Sequence, residues 1–134
     1  MSGVVTFASI RQEQEWDDPR LFPLLKEIIE DFAEFATLYH GWIPRITSIF
    51  RTPEENEAAE AKTTIHCAWR AADVRTKDVP QEAVDDVGKY INKKWIYDPK
   101  RPHLPVAYWA PHGSGPHIHV QAHQNTKLRE STEA

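Results

Sequence analysis

His117 and His119 are separated by one residue in a segment that is typical of a β-strand, because it alternates histidine with Ile118 and Val120. Residues two apart in a strand point to the same face. We therefore expect both imidazoles to face one cavity, with the isoleucine and the valine on the core side. Since His-x-His also occurs by chance, the pair alone does not establish a metal site.

Asp73 follows His66 by seven residues, within a strand-like segment from Ala71 to Arg75. The alanines beside Asp73 leave room around its carboxylate for an ion or a ligand. A surface ion pair with Arg70 or Arg75 explains the aspartate equally well, so spacing alone leaves both interpretations open.

Two imidazoles and one carboxylate form a ligand set that zinc accepts, with a fourth position left for a water whose pKa falls to about 7. A hydrolase of this kind also needs a group that moves a proton, and His117 beside the candidate ligand His119 is available. It further benefits from a cation that holds substrate charge or the oxyanion, for which Arg51 is the candidate. These residue types are suited to metal-assisted hydrolysis.

Helices are predicted in three places around these residues. The clearest begins at Leu21, carries apolar residues at helical spacing and ends at Gly41. A second begins at Thr52 with a capping box to Glu55 and runs for about two turns, to Ala61. A third spans residues 80–95.

Short strands are predicted at residues 45–51, 71–75, 106–109 and 117–122. The combination indicates an α+β domain with a small antiparallel sheet and flanking helices. Residues 1–20 are expected to be an irregular lead-in, 21–123 a single domain, and 124–134 a polar tail.

Charge and composition exclude several classes of function. The 134 residues include 20 acidic and 16 basic ones, a formal net charge of −4, which argues against nucleic-acid binding. A single cysteine, Cys67, excludes a disulfide framework and a multi-cysteine zinc site. No apolar run reaches the roughly 18 residues of a membrane span, so no membrane insertion is expected. The first residues lack the pattern of a signal peptide.

Three segments resemble the motifs of the zinc D-alanyl-D-alanine peptidases. Residues Ser48–Asn56 resemble that family's Ser-Gly-Tyr-Arg-Ser segment with its following Asn. Residues Thr64–Asp73 are similar to its Ser-x-His-x-x-Gly-x-Ala-x-Asp motif, and Gly115–Val120 resembles its closing His-x-His motif. Order and intervals also agree, over roughly residues 45–122.

The resemblance implies a hedgehog/DD-peptidase fold and a peptidase that cleaves peptidoglycan stem peptides, as a D,D-carboxypeptidase or an endopeptidase. His66, Asp73 and His119 would be zinc ligands. His117 would assist proton transfer beside the metal-bound water, and Arg51 would bind the substrate carbonyl or carboxylate. Phage endolysins and bacterial wall hydrolases both use this family. Without a signal peptide, we expect cytoplasmic synthesis followed by release to the wall, or a place in the virion.

Three departures from the family pattern bear on activity. Trp69 stands where the family has glycine, and Thr64 replaces the usual serine. Pro116 occupies the position of the glutamate that serves many relatives as the base, so the chain fits the His-x-His branch and leaves its general base open. The alternative function is a catalytically inactive metal-binding module of the cell wall or virion.

The remaining histidines and aromatic residues are assigned more ordinary roles. His112 is expected in a solvent-facing loop, and His123 is in phase with His119 on an ideal strand. Cys67 is expected to be a buried thiol. Tyr108, Trp109 and Trp69 could form walls of a peptide-binding cleft, but core packing explains them equally well.

Overall fold

A computed structural model of the chain describes residues 4–59, 61, 63–110 and 115–129. Its helices are α1 (Ile10–Trp16), α2 (Pro23–His40), α3 (Pro53–Ala58) and α4 (Gln81–Lys94), with a single 3₁₀ turn at His66–Ala68. Its strands are β1 (Thr6–Phe7), β2 (Arg45–Ser48), β3 (Ala71–Arg75), β4 (Trp95–Ile96), β5 (Ala107–Ala110), β6 (His117–Gln121) and β7 (Lys127–Leu128).

Five of these strands form one sheet in the order β1-β2-β3-β6-β5. Neighbouring strands in it are antiparallel, except that β1 runs parallel to β2. Strands β4 and β7 form a separate antiparallel pair. The predicted class is confirmed: this is an α+β fold with a small, mostly antiparallel sheet and flanking helices.

The central β3–β6 ladder has one apolar and one polar face. Val74 pairs with Ile118, and both are buried on the side of the long helices, where the Ile118 side chain reaches Gly88 of α4. Asp73 pairs with His119. Because successive residues of a strand point to opposite faces, both project from the other side of the sheet.

Helix α2 forms where the apolar stripe predicts it. Its buried residues recur at spacings of three and four: Leu25, Ile28, Ile29, Phe32, Ala33 and Ala36. The helix ends at Gly41, which has φ +60° and donates its N–H to the Thr37 carbonyl. Glycine adopts this left-handed conformation without the steric cost that a side chain brings.

Helix α3 begins with the predicted capping box. The Thr52 hydroxyl accepts the Glu55 N–H at 3.2 Å, and the Glu55 carboxylate accepts the Thr52 N–H at 2.9 Å. The helix ends at Ala58, earlier than the Ala61 expected from composition.

The two terminal segments contain more structure than the sequence indicates. Within the expected irregular lead-in, β1 pairs with β2 and α1 follows it. Helix α1 buries no residue, so it has no apolar stripe by which to predict it. Within the expected polar tail, β7 is a strand of two exposed residues, too short for an alternating pattern.

Candidate metal centre

The structure brings His66, Asp73 and His119 together on the polar face of the ladder. His66 comes from the 3₁₀ turn that precedes β3, Asp73 from the middle of β3, and His119 from the opposite position in β6. One donor atom of each lies within 4.8 Å of the other two, and all three residues are buried. This group, predicted from the sequence as the ligand set, could hold a metal ion.

The imidazole of His66 is oriented by the chain itself. Its Nδ1 lies 2.7 Å from the Ile49 carbonyl oxygen, which can only accept, so Nδ1 carries the hydrogen. In the neutral ring Nε2 then has no hydrogen and carries a free lone pair, and it lies 3.3 Å from Asp73 Oδ1. Nε2 is buried and has no hydrogen-bond partner among the described residues. A buried nitrogen without a partner is costly unless a cation binds it.

His119 approaches the same carboxylate oxygen from the other strand. Its Nδ1 lies 3.1 Å from Asp73 Oδ1, and its Nε2 lies 3.1 Å from Gln121 Oε1. The two imidazole rings are nearly perpendicular, with centroids 5.1 Å apart. Two ring nitrogens and one carboxylate oxygen therefore converge on one small volume.

Asp73 is ionised in this setting. Burial raises the pKa of its carboxyl, but the contacts with His119 and His66 outweigh burial and hold the pKa well below its usual range. A carboxylate this close to two ring nitrogens requires positive charge between them, supplied by protons on the imidazoles or by a metal cation.

Arg51 and His117 flank the carboxylate on its other oxygen. An Arg51 N–H donates to Asp73 Oδ2 at 2.8 Å, and His117 Nε2 lies 3.8 Å from the same atom. His117 Nδ1 lies 2.9 Å from the Gly115 carbonyl, so Nδ1 carries the hydrogen and Nε2 is bare in the neutral ring. Both side chains are partly exposed, at 19% and 16%, whereas the three ligand candidates are more deeply buried. The centre therefore opens to solvent on the side of Arg51 and His117.

Of the two alternatives for Asp73, the surface ion pair is wrong. The carboxylate is buried and pairs with Arg51, whereas Arg75 lies near Asp78 at 3.9 Å.

The three aromatic residues predicted as cleft walls or core residues have different environments in the structure. The Tyr108 ring lies 4.8 Å from the His119 ring and is 41% exposed, so this residue borders the centre. Trp109 is half exposed, and its Nε1–H donates to Thr76 Oγ1. Trp69 is buried and stacks on Phe50, as core packing predicts.

Within the described part of the chain, the other histidines do not join the site. Strand β6 ends before His123, which accepts the Asn125 N–H within a local turn. His40 pairs with Asp86 at 2.7 Å. His112 lies outside the described residues. Cys67 is partly exposed rather than buried.

Three groups that orient the site have no counterpart in the sequence predictions: the Ile49 carbonyl, the Gly115 carbonyl and the Gln121 side chain. A backbone carbonyl has no signature in a sequence. Gln121 does, because it lies two residues beyond His119 and shares its strand face.

Comparison with known protein families, curated proteins and solved structures finds no match. Among the described residues, no helix combines the length and the apolar character needed to cross a membrane.

Proposed function

We propose that this protein is a zinc-dependent peptidase that hydrolyses peptidoglycan stem peptides, with a hedgehog/DD-peptidase fold. The observation that carries the proposal is the buried group of His66, Asp73 and His119, in which the partnerless Nε2 of His66 faces an ionised carboxylate. The ordered motifs that resemble the zinc D-alanyl-D-alanine peptidases contribute the substrate class.

The donor set fits zinc. Tetrahedral coordination at zinc–ligand distances of about 2.0–2.1 Å places donor atoms about 3.3 Å apart. Asp73 Oδ1 lies 3.3 Å from His66 Nε2 and 3.1 Å from His119 Nδ1. Two imidazole nitrogens favour zinc over magnesium or calcium, which prefer oxygen ligands. Three protein ligands leave the open position that catalytic zinc sites keep.

When bound, zinc supplies a Lewis acid that polarises the substrate carbonyl and lowers the pKa of bound water. Arg51 orients the ligand carboxylate through the hydrogen bond to Asp73 Oδ2. A guanidinium has five N–H donors, so Arg51 retains donors for the substrate. These can hold the carbonyl oxygen as negative charge develops on it, or bind a substrate carboxylate.

In this proposal His117 moves the proton. Its Nδ1–H donates to the Gly115 carbonyl, which leaves Nε2 as the basic atom on the open side of the centre. An imidazole so fixed can accept a proton from the attacking water and pass it to the leaving amine. This role replaces the glutamate that is absent at Pro116.

A catalytically inactive metal-binding module of the wall or virion is the second candidate. It is favoured by Pro116 at the position of the glutamate base and by Trp69 at the position of the motif glycine. The Trp69 ring, however, stacks on Phe50 and is buried, so it does not itself replace a ligand. Turnover of any stem peptide excludes this candidate.

The test is cleavage of synthetic stem peptides by the zinc-loaded protein, with and without chelator. We expect cleavage that chelator abolishes and that zinc restores. His119→Ala should lose cleavage, whereas the matched variant His40→Ala should retain it, because His40 is the last residue of α2 and pairs with Asp86. Chelator-resistant cleavage, or full activity in His119→Ala, would overturn the mechanism. Stoichiometric zinc without turnover would favour the inactive module.

A further inference from the structure

The Gln121 side chain joins the candidate metal centre to a backbone carbonyl outside it. Gln121 is the last residue of β6, lies on the same strand face as His119 and is 9% exposed. Its Nε2 donates to the Pro105 carbonyl at 2.9 Å, and its Oε1 lies 3.1 Å from His119 Nε2.

The Pro105 carbonyl fixes which end of the amide faces His119. A carbonyl oxygen can only accept, so the Gln121 atom next to it must be the NH₂ group. The atom facing His119 is then the amide oxygen, which also can only accept. His119 Nε2 must therefore carry a hydrogen, which it donates to Gln121 Oε1.

The hydrogen on Nε2 determines the role of the other ring nitrogen of His119, Nδ1. With a hydrogen held on Nε2, Nδ1 is the ring atom left for a metal ion, which would lie between Nδ1 and Asp73 Oδ1, two atoms that are 3.1 Å apart. The opposite tautomer would donate Nδ1–H to Asp73 and block the nitrogen that faces the centre. Hydrogen-bond partners of this kind set the tautomer and the orientation of a metal-binding histidine.

We propose that Gln121 is a positioning residue that holds His119 in the Nε2–H tautomer and so makes Nδ1 its metal-binding atom. His66 is held by the backbone carbonyl of Ile49, whereas this support comes from a side chain and is open to substitution. The proposal rests on the metal centre and not on peptidase activity.

Two substitutions separate the acceptor from the volume of the side chain. Gln121→Met keeps the length but removes the acceptor, and we expect zinc affinity to fall about 10–100-fold. Gln121→Glu retains an oxygen toward His119 but loses the hydrogen bond to the Pro105 carbonyl, so we expect its zinc affinity to lie between that of Gln121→Met and the wild-type value. Zinc affinity is measured by competition with a chromophoric chelator.

Asn92→Leu is the matched control. Asn92 accepts the N–H groups of Val106 and Ala107 and donates to the Ala107 carbonyl, so it holds the segment next to Pro105. It makes no hydrogen bond to His119 among the described residues. If Gln121 acts on the ring, Asn92→Leu should lower thermal stability but keep the wild-type zinc affinity. A loss of affinity equal to that of Gln121→Met would assign the effect to a loosened loop and overturn the proposal.

The tautomer is measured by ¹⁵N NMR of the His119 ring in zinc-loaded protein. We expect Nε2–H in the wild type and in Gln121→Glu, and a mixture of tautomers in Gln121→Met. A wild-type Nδ1–H ring, or wild-type zinc affinity in Gln121→Met, overturns the proposal. Failure of the wild type to bind zinc overturns the centre and this role together, whereas zinc binding without peptide cleavage overturns only the proposed function.

Discussion

The two faces of the β3–β6 ladder are built from alternate residues of the same strands, but different interactions determine what each face does. On one face Val74 and Ile118 are buried beneath the long helices, where stability depends on apolar area and filled volume. On the other, Asp73 and His119 face each other at 3.1 Å, where the position of single hydrogens decides what the site can bind. Substitutions one residue apart should therefore separate folding from metal binding.

Asp73→Asn should have the largest effect on the polar face. The amide keeps the shape of the side chain but removes the negative charge, leaving two imidazoles and Arg51 around the centre. We expect zinc content to fall from about one ion per chain to none. At a zinc concentration of 100 times Kd the wild type should gain about 2.7 kcal/mol of stability, and the variant nothing.

Elemental analysis and melting curves with and without zinc measure both effects. Equal zinc content in Asp73→Asn and the wild type would show that the metal, if bound, lies elsewhere.

Ile118→Ala removes apolar packing from the opposite face of the ladder. Ile118 is 1% exposed and reaches Gly88 of α4, so truncation leaves a cavity between the sheet and the helix. We expect the free energy of unfolding to fall by about 2–5 kcal/mol. The folded fraction should bind zinc as the wild type does. Urea unfolding measures the free energy of unfolding, and chelator competition measures the zinc affinity. A loss of zinc affinity without a loss of stability would contradict the division between the faces.

Trp69 sharpens the comparison because it lies in the turn between His66 and β3. It has φ +60°, a conformation that costs a residue with a side chain about 1–2 kcal/mol. Its ring is retained by stacking on Phe50 at 4.6 Å and by the Arg20 guanidinium at 4.5 Å. This contact explains how a tryptophan occupies the position where the motif has glycine.

Trp69→Ala loses the ring and keeps the strained backbone, so we expect a cost of about 3–5 kcal/mol. Trp69→Gly loses the same contacts but relieves the strain, and should be about 1 kcal/mol more stable than Trp69→Ala. Urea unfolding of both variants compares them. An alanine variant as stable as the glycine variant would show that the backbone at residue 69 is not strained.

Elements with strong periodicity or local chemistry can be predicted from the sequence. The apolar stripe predicts α2, the capping box predicts the start of α3, and alternation places His119 on the face opposite the core. Features that depend on tertiary contacts cannot be predicted in this way. Helix α1 has no buried residue, and the Ile49 carbonyl that orients His66 has no side-chain signal. Spacing leaves two roles for Asp73 open, a ligand or a surface ion pair with Arg70 or Arg75, because it cannot show that Arg51, beyond the end of β2, reaches the carboxylate.

The smallest expected effect on stability comes from a substitution in helix α1, which contacts the segment that carries Arg51. Arg11 donates to the Phe50 carbonyl at 2.9 Å and to both Glu55 carboxylate oxygens, and Glu15 accepts the Phe50 N–H at 3.3 Å. Side chains of α1 thus satisfy the backbone of the residue that precedes Arg51. The hydrogen bonds from Arg11, together with the Thr52 N–H, lower the pKa of Glu55 to about 2.

Because the folded pKa of Glu55 is depressed, its contribution to stability is present above the unfolded value of about 4.5 and is lost as pH falls toward 2. Both side chains are over a third exposed, so solvent screening limits the cost of Arg11→Ala at pH 7 to about 0.5 kcal/mol. We expect the variant to lose less stability than the wild type between pH 4.5 and 2, as measured by urea unfolding at each pH. Arg11→Lys keeps the charge without the two-pronged contact and should lie between them. The same pH dependence in all three proteins would show that α1 does not hold this segment through Glu55.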